Sequence, residues 1–122
     1  MTQDELQFFH AKPQALPLYE ALRGALLACC PDTQIQVHAT QITFKARYGF
    51  AFVSLRRLKG CPPVFLLLTI GLARRLDSLR VAVAVEPYPN RWTHHLVLSS
   101  PEQLDGELLG WLREAHDFAL LK

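Results

Sequence analysis

The stretch QITFKARYGFAFVSL, residues 41–55, constrains the fold more than any other part of the chain. Ile42, Phe44 and Ala46 alternate with Thr43, Lys45 and Arg47, and a period of two places one set on the dry face of a strand and the other on the wet face. Tyr48-Gly49 supply a turn, after which Phe50, Phe52 and Ser54 face one side and Ala51, Val53 and Leu55 the other. Two alternating runs joined in this way predict an antiparallel hairpin. Gly60 and Pro62-Pro63 mark the next turn, and VFLLLTI, apolar on both faces, belongs at the centre of the sheet. Val81, Val83 and Val85 predict another strand after a short turn, although Asp77 or Ser78 could cap a helical turn there. Pro87, Pro89 and Asn90 then read as a loop, and WTHHLVL as the last strand.

The period is helical on both sides of this region. Thr2 and Glu5 have the spacing of a capping box, predicting a short first helix that carries Leu6 and Phe9 inward and breaks near Pro13. A second helix spans about Pro17 to Cys30, with Leu16, Tyr19, Leu22, Leu26 and Cys30 on one face. Ser100-Pro101-Glu102-Gln103 combines an N-cap serine, a proline at the first helical position and a capping-box glutamine. It predicts a helix starting there, with Leu104, Leu108, Trp111, Leu112, Ala115 and Phe118 turned inward. The expected class is α+β: a mainly antiparallel sheet of about five strands, with N-terminal and C-terminal helices packed largely on one face. Residues 1–122 are expected to form a single domain.

Half the residues are hydrophobic and a fifth are charged, as in a globular chain. The first residues are acidic where a secretory signal is basic, and no apolar run reaches membrane-spanning length. Cys29, Cys30 and Cys61 form an odd set without disulfide spacing, which suits reduced thiols and a cytoplasmic location. The five histidines and three cysteines offer neither C-x-x-C nor H-x-x-x-H, and phosphate-loop, dinucleotide and nucleophile-elbow motifs are lacking. No metal, cofactor or catalytic residue is therefore expected.

Charge is unevenly spread. Residues 45–91 carry nine basic and two acidic side chains, net +7, whereas residues 1–44 are net −2 and residues 92–122 net −3. Lys45, Arg47, Arg56 and Arg91 beside Tyr48, Phe50 and Phe52 make the mixture that meets phosphate and stacks on bases, so nucleic acid or a nucleotide is the expected anionic partner. The competing reading is a core of aromatics under solvated cations. His94 and His95 are consecutive, so in a strand they face opposite ways and cannot form one site. His94 shares the core side with Trp92, Leu96 and Leu98, while His95 lies on the face where the cations emerge and is the better ligand-binding candidate.

Three functions follow: a non-catalytic anion-binding module using Lys45, Arg47, Arg56, Arg91, His95 and His94; a dimerisation or protein-interaction module, since three helices leave part of the sheet to be covered; and an enzyme with His94 or His95 as acid-base group in a helix-sheet cleft. FFHAKPQALPLYEALR, TQITFKARYGFAFVSL, RLDSLRVAVAVEPYPNRWTHHLVL and SPEQLDGELLGWLREAHDFA together resemble a bacterial family known as a domain of unknown function, numbered 5655, from about Phe8 to Ala119. The most specific marks are Thr40-Gln41, Arg91-Trp92-Thr93-His94-His95 and the Leu104-to-Trp111 helix. The resemblance implies relatives that carry this domain at the end of larger proteins, which fits a binding or accessory module.

Overall fold

Helices enclose the strands in the order of the chain. The computed structural model describes residues 1–121. Helix α1 (Gln3–Phe8) and, after a 3-10 turn at Pro13–Ala15, helix α2 (Leu16–Cys29) precede six strands: β1 (Gln34–Val37), β2 (Ile42–Lys45), β3 (Gly49–Ser54), β4 (Leu66–Leu72), β5 (Val83–Tyr88) and β6 (Arg91–Leu98). A second 3-10 turn, Pro101–Gln103, leads into helix α3 (Gly106–Leu120). The strands form one sheet in the order β1-β2-β3-β4-β6-β5, every neighbour antiparallel. This is the α+β class expected, with six strands in place of about five.

Period two decides which face is dry. Leu66, Leu68, Ile70 and Leu72 of β4 are fully buried and meet Leu98, Leu96, His94 and Trp92 of β6 in register. On this side α3 packs against β3 and β4, and α2 against α3. Tyr19 of α2 stands 6.3 Å, ring to ring, from Phe44 of β2. Burying side chains of this size contributes roughly 1.5–3 kcal/mol each. They hold the sheet to its helix layer.

Local departures from the expected pattern have identifiable causes. The register slips between Phe44 and Lys45, where Lys45 faces Gly49. The extra residue, Phe50, turns to the helix side, 1 % exposed, with its ring edge-to-face against His116 of α3 at 5.3 Å; a bulge reorients one side chain in this way. Thr2 and Glu5 do close a capping box, but the residues turned inward are Glu5 and, at the C-cap just after α1, Phe9, and Leu6 is exposed. The Ser100 box caps only the 3-10 turn, and α3 begins six residues later on its own cap, Asp105, whose carboxylate accepts from Leu108 N–H at 3.0 Å. Pro87 lies within β5, and the connection shrinks to Pro89-Asn90 between the paired Tyr88 and Arg91. Asn90, at φ 61°, takes the left-handed position that this tight turn needs.

Because β6 lies between β4 and β5, the connection over residues 73–82 must pass β6 to reach the sheet edge. The buried Leu76, Arg74 paired to Glu114 through two 2.9 Å bonds, and Arg80 on Asp105 and Glu107 help to hold it. Among the described residues no helix is long and apolar enough to cross a membrane.

Candidate functional site

The face of the sheet opposite α2 and α3 carries a row fixed by strand register. Gln36, Thr43, Phe52, Thr69, His95 and Val83 stand side by side across the six strands. Side chains in such a row share a face. Over its middle lies a groove of about 760 Å³. Phe52 and Leu67 contribute from β3 and β4, Leu55 follows β3, and Phe8 enters from the end of α1. The polar lining is Thr40, Gln41, Ser54, Thr69, Arg56 and His95.

Each wall has a local cause. His38 N–H donates to Gln41 C=O at 2.8 Å, closing the β1–β2 turn and presenting Thr40 and Gln41. A Cβ on Gly49 would come within 2.9 Å of the Phe52 ring and 3.2 Å of a Thr43 methyl, so the ring lies where only glycine admits it. Glu5 anchors the helix that carries Phe8. Its buried carboxylate accepts from Thr2 N–H at 2.9 Å, from Arg23 Nε–H at 2.8 Å and from the Tyr19 hydroxyl.

His95 is half-buried, and its Nδ1 lies 2.8 Å from the Thr69 hydroxyl, leaving Nε2 as the ring's other hydrogen-bonding atom. Burial first, and then the Arg56 guanidinium, push its pKa below the ordinary histidine value. The ring is therefore neutral at pH 7, and Arg56, exposed at the groove's edge, supplies the positive charge. Among the described residues, the groove's lining includes no carboxylate.

His94 takes the other face. It is 0 % exposed, and its Nε2 accepts from Leu76 N–H at 2.9 Å. Its proton therefore sits on Nδ1, which has no hydrogen-bond partner among the described residues. Burial is the main cause of a pKa below the ordinary value, the Ile70 backbone works against it, and Arg74 and Arg75 add to it. The ring pegs the 73–82 connection to β6 and lies away from the groove.

The structure brings together two of the six sequence candidates, Arg56 and His95. Lys45 and Arg47 lie where β2 turns into β3, whereas Arg56 follows the opposite end of β3; Arg91 begins β6, four residues before His95. Arg47 stands 5.3 Å from the Tyr48 ring centroid and Arg75 5.9 Å from that of Trp92. Arg74 and Arg80 are neutralised by carboxylates of α3 and its cap. Thr40, Gln41, Phe8, Leu55 and Thr69 join the site without having been singled out as site residues. Thr69 comes from β4, Thr40 and Gln41 from the β1–β2 turn, Leu55 from just after β3 and Phe8 from the end of α1, and no local pattern encodes their meeting. Among the described residues no group of three or more His, Cys, Asp or Glu side chains could hold a metal ion.

No curated protein and no solved structure matches the chain. The model of one family, described as Domain of unknown function (DUF5655), matches residues 5–119, nearly all of the sequence that builds this sheet, its helices and the groove. This chain belongs to that family.

Proposed function

We propose that the groove binds a small anionic ligand without transforming it, and that a nucleoside monophosphate is the class it suits best. The observation that carries this reading is the meeting of Arg56 and His95 with the Phe52 ring in one groove of about 760 Å³. That volume lies within the range of small-molecule sites. Arg56 offers a planar fork of donors to a phosphate, Phe52 and Phe8 offer rings to a planar body, and Thr40, Gln41 and Ser54 offer hydrogen bonds to a base edge. A long single strand would need a track of cations. Of the other central cations, Arg74 and Arg80 are spent on carboxylates, Lys45, Arg47 and Arg91 are set at the other end of the strands, and Arg57 bonds the Cys61 and Pro62 carbonyls, so a short ligand fits better than a polymer.

The Thr69–His95 pair has the form of a hydroxyl beside a base, but His95 has no carboxylate to orient it or to stabilise its charged form. Binding without catalysis accounts for both facts.

The test is an amide-resolved NMR titration with the four common nucleoside monophosphates and, separately, a short oligothymidylate, all at low ionic strength. Shifts should centre on Thr40, Phe52, Thr69 and His95, fade as salt rises, and be lost in Arg56→Gln. No shift from any monophosphate at low salt overturns the proposal, as does binding that Arg56→Gln leaves intact.

A further inference from the structure

Beyond the groove, the open face of the sheet loses its side chains at Gly71. This residue of β4 stands opposite Thr93 of β6 and two residues from Thr69, so it shares the face of Thr69 and His95. A glycine in a strand packs nothing and costs backbone entropy, and where one occurs it often marks a bulge, a bend or the close approach of a ligand. No local reason accounts for Gly71. Its φ lies outside the left-handed region, β4 pairs with β6 in unbroken register, and a Cβ there would meet nothing within 4 Å. Gly49 differs, because the Phe52 ring leans over it and excludes a Cβ. Past that ring the open face is bare backbone.

Charge and rings border the bare strip. Arg91 and Tyr88, paired across the β5–β6 turn, share its face, and both are exposed. Lys45 of β2, opposite Gly49, borders it on the other side, and the exposed Arg47 and Tyr48 follow in the turn. Among the described residues, Lys45, Arg47 and Arg91 take part in no ion pair. Glu86, the carboxylate of β5, accepts from Asn90 N–H at 3.0 Å. The groove leaves these cations unused.

Resting on the reading of the groove as a nucleotide site, we infer that its ligand is a short single-stranded oligonucleotide, with one nucleotide in the groove and the chain crossing Gly71 toward Arg91. Arg91 lies four residues before His95 on β6, about 13 Å along the strand. One nucleotide held by Arg56 does not reach so far, whereas the next units of a chain do. Bare backbone at Gly71 lets a sugar or base lie against the sheet, Arg91 and Lys45 meet phosphates, and Tyr88 offers a ring to a base. An acidic peptide would satisfy the cations and leave the rings without a stacking partner. The strand begins at Arg91, so the track ends there and the ligand stays short.

The test compares, by NMR titration at low ionic strength, the monophosphate that binds tightest with the 5′-phosphorylated trinucleotide of the same base. The trinucleotide should bind tighter by about tenfold or more and weaken more steeply as salt rises. Gly71→Leu, which fills the strip where a side chain meets no neighbour, and Arg91→Gln should each remove most of that gain. Both should leave the monophosphate affinity and the circular dichroism spectrum unchanged. A monophosphate that binds with no gain for the trinucleotide overturns this inference alone, as does a gain that survives both substitutions. An acidic tripeptide that matches the trinucleotide on the same residues also overturns it. Failure of every monophosphate to bind overturns the groove reading, and this inference with it.

Discussion

Replacing Glu5 should destabilise this protein more than any comparable change in the first helix. Its side chain is 1 % exposed and receives four donors: Thr2 N–H and O–H, Tyr19 O–H and Arg23 Nε–H. Glu5→Ala leaves the Tyr19 hydroxyl, on a fully buried residue, and a largely covered guanidinium without their acceptor. Removing one partner of a buried pair costs about 3–5 kcal/mol, a large share of the roughly 5–15 kcal/mol that holds a domain together. At about 3–5 °C per kcal/mol for a chain of this size, the melting temperature should fall by about 9–25 °C. Tyr19→Phe, which loses one bond to a charged acceptor, should cost about 1.5–3 kcal/mol. The double variant should fall short of the sum by about 1–2 kcal/mol because the two share a bond. Burial raises the Glu5 pKa, but Thr2, Tyr19 and Arg23 together bring it below the usual glutamate value. Its contribution is therefore present above the unfolded pKa near 4.5 and lost as pH falls through the depressed folded value. Urea denaturation of the four proteins at pH 7 and at pH 4 measures all of this. A Glu5→Ala cost below about 1 kcal/mol, or strict additivity with Tyr19→Phe, would refute the reasoning.

The two buried histidines should respond to pH in opposite directions. His116 is desolvated, yet Asp117 and Asp32, each at 2.9 Å, raise its pKa above the ordinary value. Its stabilisation is complete below pH about 6.5 and lost as pH rises through the folded pKa; the gap in urea midpoint between the parent and His116→Asn should therefore be wider at pH 5.5 than at pH 8.5. His94 has a depressed pKa, so its contribution is present above about 6.5 and fades as pH falls. His94→Leu orphans the buried Leu76 N–H at about 1–3 kcal/mol and should also speed amide exchange over residues 73–82. Unchanged exchange there would remove the peg role from His94.

Much of the fold is legible because each side chain's period reports the face it needs. Ile42, Phe44, Ala51 and Val53 are buried where alternation puts them, and Tyr19, Leu22 and Leu26 where helical spacing does. The errors fall where a local signal has two outcomes. Gln34-Ile35-Gln36-Val37 alternates over only four residues, too short to stand apart from a loop, and pairs because β2 offers an edge. The Ser100 capping box is real, but Leu104, at φ −83° and ψ 62°, leaves helical geometry, and Asp105 restarts it. Leu6 yields the inward position to a charged Glu5 because Tyr19 and Arg23, which satisfy that charge, lie fourteen and eighteen residues on.

The site is less legible for a related reason. Charge counting treats Arg56, Arg74 and Arg80 alike, although their environments differ completely. Arg80 reaches Asp105 and Glu107 across twenty-five and twenty-seven residues of chain, and Arg74 reaches Glu114 across forty, so two cations of the basic middle are bound to the acidic end. The +7 and −3 segments are partly each other's counterions. What survives as a site is decided by strand parity: His95 faces the groove because its neighbour His94 is required by Leu76 on the other side. A one-residue slip of β6 would exchange them, setting His95 among leucines and His94 beside Thr69. The same register that fastens the 73–82 connection thus aims the one histidine of the pair able to meet a ligand.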